Sequence, residues 1–281
     1  MPIKAYLKWL SSVVRGWLFV LWIYLGAGWR FCRWRIQLWY GQTYMAESEN
    51  TQTATKKTLL FIRHGQTTWN VEHRLPGQLP GIELNDTGRQ QATRLADALS
   101  VLPISAIISS PLERARETAE ILALPRGLSV QLEPGLMDTN VGHWAGQVFD
   151  ELSKNDPAWK AFVRDPTKGP EDVETFPQVQ QRVVAAVNRW LEHDSTGNYP
   201  AFVAHADIIK LLLAHYTGLE TARASSLSID NASVSIVEVE GEHRPRVVAV
   251  GWNPHPGWLK PPTTESEKPK VEGQQEGEQK T

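Results

Sequence analysis

Between residues 57 and 258, short apolar runs alternate with longer amphipathic segments, and this alternation restricts the fold more than any other feature of the chain. Strand-length runs fall at 58–62, 106–109, 130–132, 201–204, 233–239 and 247–250. Helix-length segments fall at 88–99, 111–122, 157–163, 177–191 and 207–216. Strands separated by helices predict an α/β domain. The expected architecture is a three-layer αβα sandwich with a mainly parallel central sheet.

Three strand ends carry charge. In "TLLFIRHGQTTWN" the greasy run stops at Arg63, His64 and Gly65, and the glycine lets the chain turn sharply and leaves its backbone open to a ligand. In "SAIISSPLERARETAEIL" Ser110 suits an N-cap, Pro111 the first helical position, and Glu113 the far end of a capping box. Arg114 then lies in the first turn, where the plain alternative is a surface pair with Glu113 or Glu117. In "YPAFVAHADIIKLLLAHYTG" a strand ends at His205, and a helix follows with Asp207 near its start and Gly218 at its end. A helix start offers free N–H groups and the positive end of a dipole. In a parallel sheet all three junctions face one side, where α/β proteins bind ligands. Cationic and titratable groups gathered there predict an anion site, with phosphate the first candidate.

The motifs in order resemble those of the histidine phosphatase superfamily, in its phosphoglycerate-mutase-like branch. "FIRHGQTTWN" is similar to the signature Arg-His-Gly-Glu/Gln-Thr-x-x-Asn, "GIELNDTGRQQA" to the segment after it, and the second and third junctions to the second-arginine and second-histidine blocks. The resemblance spans about 57–252. It implies that His64 is a nucleophile forming a phosphohistidine, and that Arg63, Arg114 and His205 hold phosphate oxygens while Asn70 adds a polar contact. Two arginines beside His64 favour its neutral, attacking form. The resemblance requires no metal and no cofactor, and neither metal-ligand spacing nor a Walker-type loop is found.

One departure concerns the proton donor, commonly a Glu four residues before the Gly of a Gly-x-Trp segment. In "LMDTNVGHWAG" that place belongs to Asp138, one methylene shorter, and Asp138 is the expected general acid. Glu174 is the reserve, in "GPEDVETFPQVQQR", where relatives often carry Gly-Gly-Glu-Ser and this chain lacks the two glycines. The resemblance implies a metal-independent phosphomonoesterase acting on a small phosphorylated substrate. Mutases of the superfamily usually carry a longer insertion after the second arginine, whereas only a short stretch separates Leu122 from Asp138. The alternatives are a phosphoglycerate mutase-type phosphotransferase and a non-catalytic, membrane-tethered module that binds a phosphorylated ligand. Lid residues within 135–180 are expected to select the substrate, with Trp144, Trp159 and Phe162 either lining it or filling the core.

Outside the domain the composition changes. Residues 1–45 hold six of the twelve tryptophans and six basic residues with no acid. The rest of the chain keeps 23 basic against 31 acidic residues, a balance of −8 that argues against a nucleic-acid partner. The uncharged run 16–29 would form roughly 21 Å of helix, short of the ~30 Å hydrocarbon core. Flanking Trp and basic residues nonetheless mark a membrane interface. Residues 1–45 are therefore expected to be a hydrophobic helix and membrane anchor, spanning or lying flat on lipid, with a cytoplasmic catalytic domain. The alternatives are a helix packed on the protein's own core and a start at Met45. Residues 46–56 read as a polar linker and 259–281 as a disordered tail. The single Cys32 excludes an internal disulfide and a thiolate zinc site. Nothing in the sequence fixes the oligomeric state.

Overall fold

The computed structural model describes residues 56–241 and 243–254. The expected anchor at 1–45, nearly all of the linker, and the tail lie outside them. The described chain forms one six-stranded sheet of β1 (Lys57–Arg63), β2 (Ala106–Ser109), β3 (Val130–Leu132), β4 (Pro200–Ala204), β5 (Val234–Val239) and β6 (Arg246–Trp252), in the order β3-β2-β4-β1-β5-β6. Its helices are α1 (Thr68–Val71), α2 (Asp86–Ala98), α3 (Glu113–Ala123), α4 (Phe149–Asn155), α5 (Pro157–Arg164), α6 (Phe176–Leu191) and α7 (Ala206–Thr217).

Successive residues of β1 point to opposite faces, and both faces are buried. Leu59 and Phe61 join Phe202 of β4, Val179, Val183 and Val187 of α6, and Ile208 and Leu212 of α7. Leu60 and Ile62 join Ala201 and Val203 of β4, Leu95 of α2, and Ala115, Ala119 and Leu122 of α3. Helices thus cover the sheet on both sides, which is why the central strands read as unbroken apolar runs.

The sheet is mixed. β1, β2, β3 and β4 run parallel, while β5 is antiparallel to both β1 and β6. Only a short turn joins β5 to β6, too little chain for the crossover that a parallel pair needs. β5 enters from the carboxyl end of β1, where Ala232 N–H donates to His64 O at 3.1 Å and Arg63 N–H to Ser233 O at 3.0 Å. The antiparallel entry brings residues 229–233 to the charged strand ends. Among the described residues no helix is long and apolar enough to cross a membrane.

Candidate active site

The ends of β1 and β4 are tied together, His64 N–H donating to Ala204 O at 3.0 Å. The His64 and His205 rings consequently lie 5.2 Å apart, centroid to centroid. Both are almost fully buried. Behind His64 the chain is pressed against the first turn of α2: a Cβ on Gly65 would come within 2.5 Å of Gly88 O, and one on Gly88 within 2.1 Å of Gln66 O. Gly65 N–H also donates to Thr118 Oγ1 at 3.0 Å, linking this loop to α3. Asn85 caps α2, its side chain accepting from Gly88 N–H at 2.8 Å.

His64 Nδ1 lies 2.7 Å from Gly65 O. A carbonyl can only accept, so Nδ1 carries the proton. Burial, then the charges of Arg114 and Arg63, hold His64 well below the ordinary histidine range. The ring is therefore neutral, and Nε2 keeps its lone pair. His205 is held low in the same way, by burial first and then Arg114. Its Nε2 pairs with Ser110 Oγ at 2.9 Å, and its Nδ1 stands 3.6 Å from Asp138 Oδ2, too far for a hydrogen bond.

Arg114 is fully buried in the first turn of α3. Its Nη2 donates to Gly77 O at 2.8 Å and to Asp138 Oδ2 at 3.0 Å. Arg63, the last residue of β1, donates from Nη1 to Ile229 O at 2.7 Å. Arg63 Nε, Arg114 Nε, Arg114 Nη1 and His205 Nδ1 are all buried with no hydrogen-bond partner in the protein. Buried donors are rarely left unpaired, and these three arginine nitrogens, with His205 Nδ1 beside them, are an arrangement that can receive an anion. Burial pushes the Asp138 carboxyl up against the opposing pull of Arg114, with Asp207 adding to the rise. Asp138 thus stands beside Arg114 and His205 with a carboxyl that gives up its proton less readily than a free one.

The structure thus brings together His64, Arg63, Arg114, His205 and Asp138. Asn70 lies beside them at the end of a capping box. Its Oδ1 takes the Thr67 N–H at 3.0 Å, and Asn231 Nδ2 donates to it at 3.1 Å. Asn231 Nδ2 also lies 3.2 Å from His64 O. Asn231, Ser110 and the Ile229 carbonyl were not anticipated from sequence. Asn231 and the Ile229 carbonyl act through a turn and backbone oxygens, and Ser110 through a hydroxyl that meets a residue 95 positions away, none of which leaves a periodic signal.

One expectation, the Ser110 cap, is corrected, and two alternatives, the surface pair of Arg114 and the reserve role of Glu174, do not hold. Ser110 does not cap α3, which begins at Glu113 with Leu112 at its N-cap and no side-chain cap. The Ser110 hydroxyl is engaged by His205 instead. Arg114 pairs with Asp138 rather than with Glu113 or Glu117, and Glu117 binds Arg89 at 2.5 Å. Glu174 is not free to serve as a proton donor: both its oxygens bind Arg182, at 2.9 and 2.8 Å, and it accepts from Asn140 N–H at 2.8 Å. Trp144, Trp159 and Phe162 are core, buried in mutual ring contact.

Residues 59–253 match the family model of the histidine phosphatase superfamily, branch 1. The chain is 36% identical over 186 residues to phosphoglycerate mutase-like protein 4 of Arabidopsis thaliana, covering 63% of this chain and 77% of the relative. It is 32% identical over 195 residues to the probable phosphoglycerate mutase GpmB of Escherichia fergusonii, covering 68% and 88%. Among solved structures it is similar to a mycobacterial glucosyl-3-phosphoglycerate phosphatase in complex with VO3, at 32% identity and a TM-score of 0.63, covering 70% of this chain and 98% of the other. The chain belongs to the histidine phosphatase superfamily.

Proposed function

We propose that the protein is a phosphomonoesterase that works through a phosphohistidine on a small phosphorylated substrate. The observation that carries this reading is His64, with Nδ1 bound to Gly65 O and its charged form disfavoured, beside buried arginine and histidine nitrogens that have no partner in the protein. Arg63, Arg114 and His205 would hold the phosphate oxygens, and Asn70, whose Oδ1 is taken up within the His64 loop, would add a polar contact through its amide N–H. Nε2 attacks phosphorus, the ester P–O bond breaks, and Asp138 gives its proton to the departing alkoxide. Water then attacks the phosphohistidine and returns a proton to Asp138, releasing inorganic phosphate and His64. Charge spreading over the transferred oxygens is met by fixed cations, so the protein supplies the stabilisation itself.

Hydrolysis is favoured over a mutase reaction by the chain after α3. Residues 124–137 are taken up by a 3₁₀ turn (Leu124–Arg126), β3 and a second turn (Pro134–Leu136), with no inserted helix to close over a substrate. Release of phosphate from a panel of monoesters, in EDTA and without a bisphosphoglycerate primer, tests the reading. Activity that demands the primer would make the protein a phosphotransferase, and no turnover of any ester would leave a phosphate-binding module. Residues 1–45 are proposed to hold the enzyme at a membrane with its catalytic domain in the cytoplasm, on the strength of their tryptophans and unopposed basic residues.

A further inference from the structure

Residues 137–141, which carry Asp138, belong to no helix or strand, so their backbone groups need other partners. Arg182, in the middle of α6, supplies them. A guanidinium has five N–H groups, and five acceptors surround this one. Nε donates to Glu174 Oε1 at 2.9 Å. Nη1 donates to Gly135 O at 3.0 Å and Met137 O at 2.9 Å. Nη2 donates to Asp138 O at 3.1 Å and Glu174 Oε2 at 2.8 Å. Glu174 extends the grip to the far side of Asp138, taking Asn140 N–H at 2.8 Å and giving its own N–H to Asn140 O at 2.8 Å. Gln78 Nε2 adds a second bond to Asp138 O, at 2.8 Å.

Every Arg182 donor is engaged, and none reaches the Asp138 carboxylate. An ordinary surface ion pair would contribute little. This pair differs because its arginine also holds the carbonyls of Gly135, Met137 and Asp138, and a lysine ammonium, with three N–H groups on one nitrogen, cannot serve all five acceptors. We propose that Arg182, braced by Glu174, is a positioning residue that fixes the backbone of Asp138 so that its carboxyl reaches the leaving-group oxygen. The shorter Asp side chain makes backbone placement matter more, since a displaced proton donor loses most of its effect. The proposal rests on the reading of Asp138 as proton donor.

The test compares Arg182→Lys and Asp138→Asn on two substrates in the full-length enzyme. One is an alkyl phosphate, whose departure needs a proton. The other is 4-nitrophenyl phosphate, whose leaving group departs unaided. General acids contribute roughly 100-fold or more, so Asp138→Asn should lose about that much kcat/KM, which reports only the steps through leaving-group departure, on the alkyl ester and less than about threefold on the aryl ester. Arg182→Lys should lose about tenfold in kcat/KM on the alkyl ester, with little change in kcat/KM on the aryl ester, and no further loss when added to Asp138→Asn. Equal loss on both esters by Arg182→Lys alone would overturn the positioning role and leave a fold-stabilising residue. Equal loss on both by Asp138→Asn would remove the proton-donor reading and the proposal with it. Should Arg182→Lys fail to fold, Glu174→Gln stands in. It is expected to show the same selective loss, and a uniform loss would again overturn the proposal.

Discussion

His64 and His205 have a consequence for stability. Both are buried and held well below the usual histidine range, chiefly by burial. A depressed histidine contributes stability that is fully present above its unfolded value, ~6.5, and lost as pH falls below it, because only the unfolded chain takes up the proton. Asp138 has the opposite sign, since its raised carboxyl loses stability as pH climbs through the window between its unfolded and folded values. The unfolding free energy measured in urea should therefore fall between pH 7.5 and 5.5, by up to about 1.4 kcal/mol per histidine per pH unit below ~6.5. His205→Asn should flatten that slope, and an unchanged slope would show that His205 is not buried in its neutral form. Arg63, His64, Arg114 and His205 were legible in the sequence because each sits where an apolar strand or a helix start exposes a charge. Asp138 was legible from its spacing to Gly142. The bond of Glu174 to Arg182 was not, because Arg182 reads as an ordinary polar-face residue of α6.

The strands and the long helices follow from apolar period and terminal residues, and their ends fall within a few residues of expectation. The direction of β5 did not follow, because strand polarity is set by connection length and by where the chain re-enters the sheet. The short α4 was also missed: it buries only Leu152 among its residues, too little for a period. Packing between elements shows most clearly where α2 meets the loop after β1. Replacing Gly88 by alanine would raise helix propensity by up to ~1 kcal/mol. It would also drive a Cβ to 2.1 Å from Gln66 O and 2.7 Å from Gln66 N, backbone atoms that cannot swing aside. The clash wins, and Gly88→Ala should destabilise the domain by about 1–3 kcal/mol net. Because Gln66 follows Gly65 directly, the shift should also lower kcat. Denaturant unfolding beside turnover measures both, and an Ala variant as stable and as active as the parent would contradict the close approach.

At the scale of the whole molecule, an acidic α/β domain is joined by a polar stretch to a basic, tryptophan-rich segment. That contrast was readable from composition, whereas topology was not, since three basic residues flank each side of 16–29. The full-length protein should sediment with membranes and a fragment covering 46–281 should not. If the segment lies flat, anionic lipid should strengthen binding and salt weaken it; if it spans, carbonate should fail to release it. Both forms in the soluble fraction would exclude an anchor. The proposed phosphohistidine is a covalent bond that can be detected directly. Acid-free quenching of turnover with a ³²P-labelled ester should leave label on the wild-type chain that is stable in base, is released by acid, and maps to the peptide bearing His64. The folded His64→Ala protein should carry none and hydrolyse nothing. Label that persists in His64→Ala, or turnover by it at the wild-type rate, would contradict the assignment of His64 as the residue that takes the phosphoryl group.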